Sequence, residues 1–367
     1  MNTFGFALRV TTFGESHGEG VGCVIDGLPS GLVIDEEFIA CEMRRRAPGR
    51  SNLSTPRKES DCVRILSGVF AGKSTGTPLA LWIANENQKS RDYANVAELF
   101  RPSHADWTYH HKYGNRDYRG GGRASARETA ARVAAGAIAQ LLLREIGITI
   151  DCGIFQIGEH KTQERDFAFA QNSDVFALDS AFEDLFMQRI LQAKKHHDSV
   201  GGAAEIRAYC VPIGLGEPLA HKLDSELARN LMGLNGVKAV EIGDGIASAN
   251  SSGSDFNDPI TQTGFASNHS GGILGGISNG DTLIVRAYFK PTASIFLPQD
   301  TLNTRYESVQ CNLSGRHDPC IAVRGCVVAK SLVALVLADM ALLNMRSTLA
   351  GFKNFYDCIQ SPFKGQQ

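Results

Sequence analysis

One turn near the N-terminus excludes a large class of folds. Residues 8–13, Leu-Arg-Val-Thr-Thr-Phe, are rich in β-branched side chains and read as a strand. Gly14-Glu15-Ser16-His17-Gly18 comes next, with the G-x-S-x-G spacing of a nucleophile elbow. An elbow needs a helix after its serine and a late histidine to complete a triad. Here the chain continues Glu19-Gly20-Val21-Gly22-Cys23-Val24-Ile25-Asp26-Gly27. Its glycines are costly in a helix, and its β-branched residues suit a second strand. The segment therefore reads strand, turn, strand. That argues against a serine hydrolase built on Ser16 and moves attention to His17 beside it.

The pattern persists along the chain. Strand-like runs recur at 63–70, 78–83, 203–211, 282–289 and 321–328, and in 282–289 the side chains Leu283, Val285, Ala287 and Phe289 share one face. Helical spacing marks 36–46, 126–145, 179–195, 224–231 and 330–344. Strands followed by strands, with a few long helices between them, predict an α+β fold rather than a doubly wound sheet. No fixed repeat or Pro/Ser-rich linker divides the 367 residues, so residues 1–354 are taken as one domain and 355–367 as a polar, disordered tail. The polar stretches 159–180 and 247–262 are expected to be surface excursions. The most apolar stretch, 331–343, is bounded by Lys330 and interrupted by Asp339; it is too short for a bilayer and is expected to be a buried helix.

Composition narrows the function classes. A net charge of −2 argues against a general nucleic-acid or membrane-surface binder. The nine cysteines include no C-x-x-C pair and no H-x-x-x-H accompanies them, which fits a reducing cytoplasm and argues against a metal site. Met1-Asn2-Thr3 leads straight into a strand, with no signal peptide expected.

Arg119-Gly120-Gly121-Gly122-Arg123-Ala124-Ser125-Ala126-Arg127-Glu128 carries the strongest local signal. Three glycines free the backbone, and Ser125 with Glu128 forms a capping box at a helix start. Arg119, Arg123 and Arg127 surround that start, where unpaired amides already favour an anion. Arg44-Arg45-Arg46-Ala47-Pro48-Gly49-Arg50, with Arg57 and Lys58, is a second basic cluster, but no aromatic residue is interleaved for base stacking. Gly72-Lys73-Ser74 is not a phosphate loop, since Ser67 stands where the first glycine belongs. Gly18-x-Gly20-x-x-Cys23 lacks the third glycine of a dinucleotide fingerprint. His104 in Arg101-Pro102-Ser103-His104-Ala105-Asp106 and His317 in Gly315-Arg316-His317-Asp318-Pro319 each keep an arginine and an acid close by. Such loops suit an anionic small-molecule substrate and proton transfer. Ser267-Asn268-His269-Ser270-Gly271-Gly272-Ile273-Leu274-Gly275-Gly276 has paired glycines suited equally to a planar ring or to tight sheet packing.

Residues 14–18 with Ile25-Asp26-Gly27-Leu28-Pro29, 101–106, 118–128, Val240-Glu241-Ile242-Gly243-Asp244-Gly245, 268–277, Lys290-Pro291-Thr292 and 316–319 together resemble the chorismate synthase family. The resemblance runs from about residue 5 to about residue 345. It implies a helical layer between two antiparallel sheets, a homotetramer, and a cytoplasmic lyase of the shikimate pathway. Such a lyase converts 5-enolpyruvylshikimate 3-phosphate to chorismate and phosphate by 1,4-anti elimination with reduced FMN. By the same resemblance His17 is an acid near the flavin, His104 protonates the departing phosphate, and Asp318 helps the flavin take the ring proton. Arg123, Ala124, Ser125, Asn235, Gly236, Gly275, Lys290, Pro291, Thr292, Ala293, Ser294 and Arg316 fall on flavin-contacting positions. Arg46 falls on a position linked to NADPH and substrate, and Arg127 at the helix start is assigned with it. Asn52 stands where the family usually has a second arginine. No reductase domain is visible, so a separate flavin reductase is the expected partner.

Overall fold

The first turn closes as a hairpin. Arg9–Gly14 pairs antiparallel with Gly20–Asp26, with Gly14 opposite Val21 and Arg9 opposite Asp26. The structure, a computed structural model, describes residues 2–49, 53, 59–86, 96–313 and 317–358. Thr3–Phe4, Arg9–Gly14, Gly20–Asp26, Leu79–Ala84 and Val63–Ser67 lie side by side in that order as one five-stranded antiparallel sheet. Leu79, Leu81 and Ile83 turn one face inward, as period two requires.

A second antiparallel sheet has the order Val237–Ile242, Leu283–Phe289, Gly202–Tyr209, Thr149–Ile157, His160–Lys161. Leu283, Val285, Ala287 and Phe289 form its buried face, the one the alternation had marked. Between the sheets lie the helices Thr129–Arg144, against the first, and Ala322–Asn344, against the second, with Glu36–Arg46 packed on both. This is the α+β sandwich the sequence implied.

Four expectations need correction. Residues 321–328 are no strand but the start of the Ala322–Asn344 helix. A short apolar run cannot be told from a strand by its period alone, and its β-branched residues then mislead. Residues 159–180 are more than a surface excursion, because Phe167, Ala170, Val175, Phe176, Ala177 and Leu178 are buried there. Ser125 caps a 3₁₀ turn, accepting from the Arg127 amide at 3.3 Å, and the α-helix begins only at Thr129. Residues 355–358 are not tail but the end of the helix Leu349–Cys358; residues 359–367 lie outside the described residues.

Two contacts fix the helical layer. A Cβ placed on Gly136 would stand 2.3 Å from the Ser331 Cβ and 2.9 Å from its carbonyl oxygen, so the two long helices touch backbone to backbone here. Asp339 explains the charge inside the apolar helix: its carboxylate accepts from the amides of Phe6, Ala7 and Leu8 at 2.7–3.0 Å. By length and composition this 23-residue helix could cross a bilayer, with mean hydropathy 2.2 over an 18-residue stretch, but 83% of that stretch is buried within the fold. Gly136→Ala should destabilise the protein by about 1–3 kcal/mol, the cost of overpacking, although alanine is the better helix former. A denaturation midpoint at or above that of the unsubstituted protein would show that the helices do not meet at Gly136.

Candidate active site

The helices Thr129–Arg144 and Ala322–Asn344 both begin at one cleft of about 560 Å³. Its lining collects most of the expected residues: His17, Arg46, His104, Arg123, Ala124, Ser125, Arg127, Asn235, Gly236, Lys290 through Ser294, and Asp318. Gly275 is not among them. It sits in the turn between Ile273–Leu274 and Ile277–Ser278, beside a glycine that packs on Lys222. Arg316 and Asn52, like Arg50, Arg57 and Lys58, lie outside the described residues.

His17 is in the loop of the first hairpin, so Ser16 occupies a strand–turn–strand and not an elbow. The Ser16 hydroxyl is 3.0 Å from His17 Nδ1, and both residues are buried. Asn85 holds this loop, its amide donating to the carbonyls of Glu15 and Gly18 at 2.9 Å. The glycine triple passes directly over it. A Cβ on Gly120 would lie 2.1 Å from His17 Cε1, and one on Gly121 would lie 2.8 Å from His104 Cε1. Both glycines have positive φ, 60° and 88°, so any side chain would meet both strain and collision. The glycines bring His17 and His104 to one wall.

His104 follows Ser103, whose φ of 56° is unusual for a residue with a side chain. The Ser103 carbonyl accepts from Lys290 Nζ at 2.7 Å, which ties this loop to the 290–294 segment. His104 Nδ1 is 3.1 Å from Asp106 Oδ1. Arg101 grips the same carboxylate at 2.6 and 2.8 Å, and Arg116 approaches to 3.2 Å. Burial opposes the Asp106 charge, but hydrogen bonds from Arg101 and His104 outweigh it and hold the carboxyl well below its usual range. Burial lowers the His104 pKa, assisted by Arg101 and Lys290 and only partly offset by Asp106.

The three consecutive arginines point three ways. Arg44 pairs with Glu37 at the surface, Arg45 lies over Phe176, and Arg46 is buried against Asp61 at 2.7 Å. Arg127 closes on the other Asp61 oxygen and donates to Asn85 Oδ1 at 2.8 Å. Burial works against the Asp61 charge, yet the two guanidiniums lower its pKa. Arg123 donates to Thr12 Oγ1 at 2.6 Å and to the Gly14 carbonyl at 3.2 Å. Asn235 donates to the Ala124 carbonyl at 2.8 Å. Asp318 is ion-paired with Arg324 in the first turn of the Ala322–Asn344 helix.

Sequence reasoning missed Asp61, Asn85 and Arg324 and gave Asp106 no role. Only Asp106, two residues from His104 in a loop with Arg101, left a local signal. No cluster of three metal-ligating side chains occurs among the described residues.

Replacing Asp61 with Asn should cost about 3–5 kcal/mol near neutral pH, because two buried guanidiniums lose their counter-charge. With the folded pKa depressed, the carboxylate's contribution is present above the unfolded value near 3.9 and is lost as pH falls below it. Denaturation across pH should show the gap to Asp61→Asn closing only on acidification. A gap independent of pH from 7 to 3 would contradict the assignment.

A family model for chorismate synthase matches residues 8–342. The chain is 62% identical over 356 residues to chorismate synthase from Wolinella succinogenes, a match covering 97% of this chain and 99% of that one. It is 60% identical to the Helicobacter hepaticus enzyme, at 97% and 99% coverage. A crystal structure of chorismate synthase aligns with TM-score 0.74 and 30% identity over 97% of this chain and 98% of the other. These likenesses run over nearly the whole chain, which belongs to the chorismate synthase family, lyases that form chorismate on the shikimate pathway to the aromatic amino acids.

Proposed function

We propose that the cleft eliminates phosphate from 5-enolpyruvylshikimate 3-phosphate in the 1,4-anti sense, with reduced FMN bound beside the substrate. The observation that carries this reading is the pair His17 and His104, brought by Gly120 and Gly121 to one wall of a cleft rich in arginine.

The residues present fit the flavin. The volume is in the roughly 300–1,000 Å³ range of small-molecule sites. Thr292 Oγ1 is buried in its lining without a hydrogen-bond partner, a polar atom suited to a ligand. Arg123 to Ser125, Asn235, Gly236 and Lys290 to Ser294 would hold the group, with Arg316 assigned by resemblance alone. When bound, reduced FMN supplies transient electron density that helps expel the phosphate.

The chain's own residues handle charge and protons. In the reaction the C–O bond to phosphate breaks and a ring C–H proton leaves, so phosphate and proton are both products. His104 gives its proton to the departing phosphate oxygen. His17, across Gly120, is the second acid, and Asp318 is the carboxylate on the path of the ring proton. Arg46 and Arg127 are committed to Asp61, which makes them poor holders of a nicotinamide 2′-phosphate. Flavin reduction is therefore assigned to a separate reductase. The eight cysteines whose side chains are described are free thiols, which is consistent with a reducing cytoplasm. A homotetramer is proposed on the family resemblance alone.

Anaerobic mixing with reduced FMN and substrate should give a flavin absorbance change and stoichiometric phosphate. Neither signal would sink the reading. His104→Ala should lower turnover by roughly 10²–10⁴-fold with flavin still bound; unchanged turnover would remove His104 from its role.

A pH effect follows as well. Burial lowers the His104 pKa and so favours its neutral form in the free protein. An arriving phosphate dianion raises that pKa, so substrate binding should take up protons. Calorimetry in buffers of different ionisation enthalpy should detect uptake that His104→Ala abolishes. Equal uptake in both proteins would place the proton elsewhere.

A further inference from the structure

We infer that Asp106 is a positioning residue for His104, holding its Nδ1–H so that Nε2 is the nitrogen presented to the cleft. The inference rests on His104 being the proton donor to phosphate, and it adds the device that aims the donor.

The argument begins with what Asp106 can do. Its Oδ2 accepts from the Arg101 amide at 3.1 Å and from Arg101 Nε at 2.6 Å. Its Oδ1 faces the Arg101 terminal nitrogen at 2.8 Å, Arg116 at 3.2 Å and His104 Nδ1 at 3.1 Å. Between two guanidiniums the carboxylate is ionised, and an ionised carboxylate only accepts. His104 Nδ1 must therefore be the donor in this pair, whether the ring is neutral or charged. The exchangeable site is then Nε2.

The rest of the surroundings agree. Gly121 passes over the Cε1–Nε2 edge, where a Cβ would stand 2.8 and 3.1 Å from those atoms, so only backbone is tolerated beside the working nitrogen. Lys290 fixes the Ser103 carbonyl just before the ring. The charged and titratable groups around His104 and its partner are Arg101, Asp106, Arg116, Lys290 and the buried Cys311 thiol. Asp106 is the one carboxylate among these described groups. Arg101 and Arg116 orient it, leaving one oxygen edge for the imidazole. The carboxylate is thus both the ring's clamp and the counter-charge for its protonated form.

The test uses the full chain with nitrogen-15-labelled histidine, His104 being assigned from its missing signals in His104→Gln. Neutral His104 should carry its proton on Nδ1, and a ring protonated on Nε2 would overturn the proposal. Asp106→Asn should lower kcat by roughly 10²-fold, the scale of a misaimed catalytic group, while KM and FMN affinity stay within about twofold. Its acidic pH limb should also move. Asp106→Glu, which restores a carboxylate, should recover part of the lost kcat. Wild-type kcat in Asp106→Asn would overturn the inference; if that variant does not fold, the tautomer measurement decides alone. Should His104→Ala keep full turnover while His104 shows the Nδ1–H form, the fault lies in the donor assignment and not in the clamp.

Discussion

The contact between the two long helices at Gly136 and Ser331 governs the layout of the molecule. With no side chain at Gly136, the Thr129–Arg144 and Ala322–Asn344 helices meet backbone to backbone, and each carries one sheet on its outer side. Because both helices start at the same cleft, two positive helix ends and their flanking loops converge there. The glycine-rich turns at 120–122 precede one helix, and His317, Asp318 and Arg324 surround the start of the other. The active-site layout follows from how closely the layer is packed.

Two buried carboxylates then set the cationic side chains. Asp61 receives Arg46 and Arg127; Asp106 receives Arg101, Arg116 and His104. Taking such ions out of water is costly, and the interaction returns that cost only where geometry and further hydrogen bonds are good. Here most of those bonds are present, although Arg46 Nε is buried without a partner. Arg127 reaches Asn85 and the Ala84 carbonyl, and Arg46 reaches Thr129. What results is orientation: guanidiniums and an imidazole held in one arrangement before any ligand arrives.

Much of this was legible in the sequence, for identifiable reasons. Leu283, Val285, Ala287 and Phe289 alternate because one face of their sheet is buried and the other is not. The 36–46 helix was found at its bounds because Asp35 caps it, accepting from the Phe38 amide, and Pro48 follows its end. Residues 321–328 were misread because a short apolar run rich in β-branched residues does not separate helix from strand by its period. Motifs named many of the residues facing the cleft, though not Arg324, and not those behind it. Asp61 is 66 residues from Arg127, and Asn85 is 70 from Glu15. Pairings at that separation leave no local spacing to read. Gly275 shows the opposite limit, since a glycine pair in sequence does not say what it packs on.

The charge balance of the cleft says where an anion's charge is answered. The chain carries a net −2, yet among the described residues the lining holds Arg46, Arg101, Arg123, Arg127, Arg132, Lys290 and Arg324 against Glu128 and Asp318. Asp61 and Asp106 neutralise part of this from behind, Glu128 pairs with Arg132, and Asp318 pairs with Arg324. Arg123 and Lys290 differ. They give their hydrogen bonds to uncharged oxygens of Thr12, Gly14 and Ser103, which orient a cation without cancelling its charge. Burial raises the pKa of the neighbouring Glu15, and Arg123 acts against that rise. The positive field is thereby concentrated on two walls of the cleft, with His17 and His104 nearby. Elsewhere in the cleft the described cations have already found their carboxylates, so Arg123 and Lys290 are where the geometry leaves positive charge for an anion.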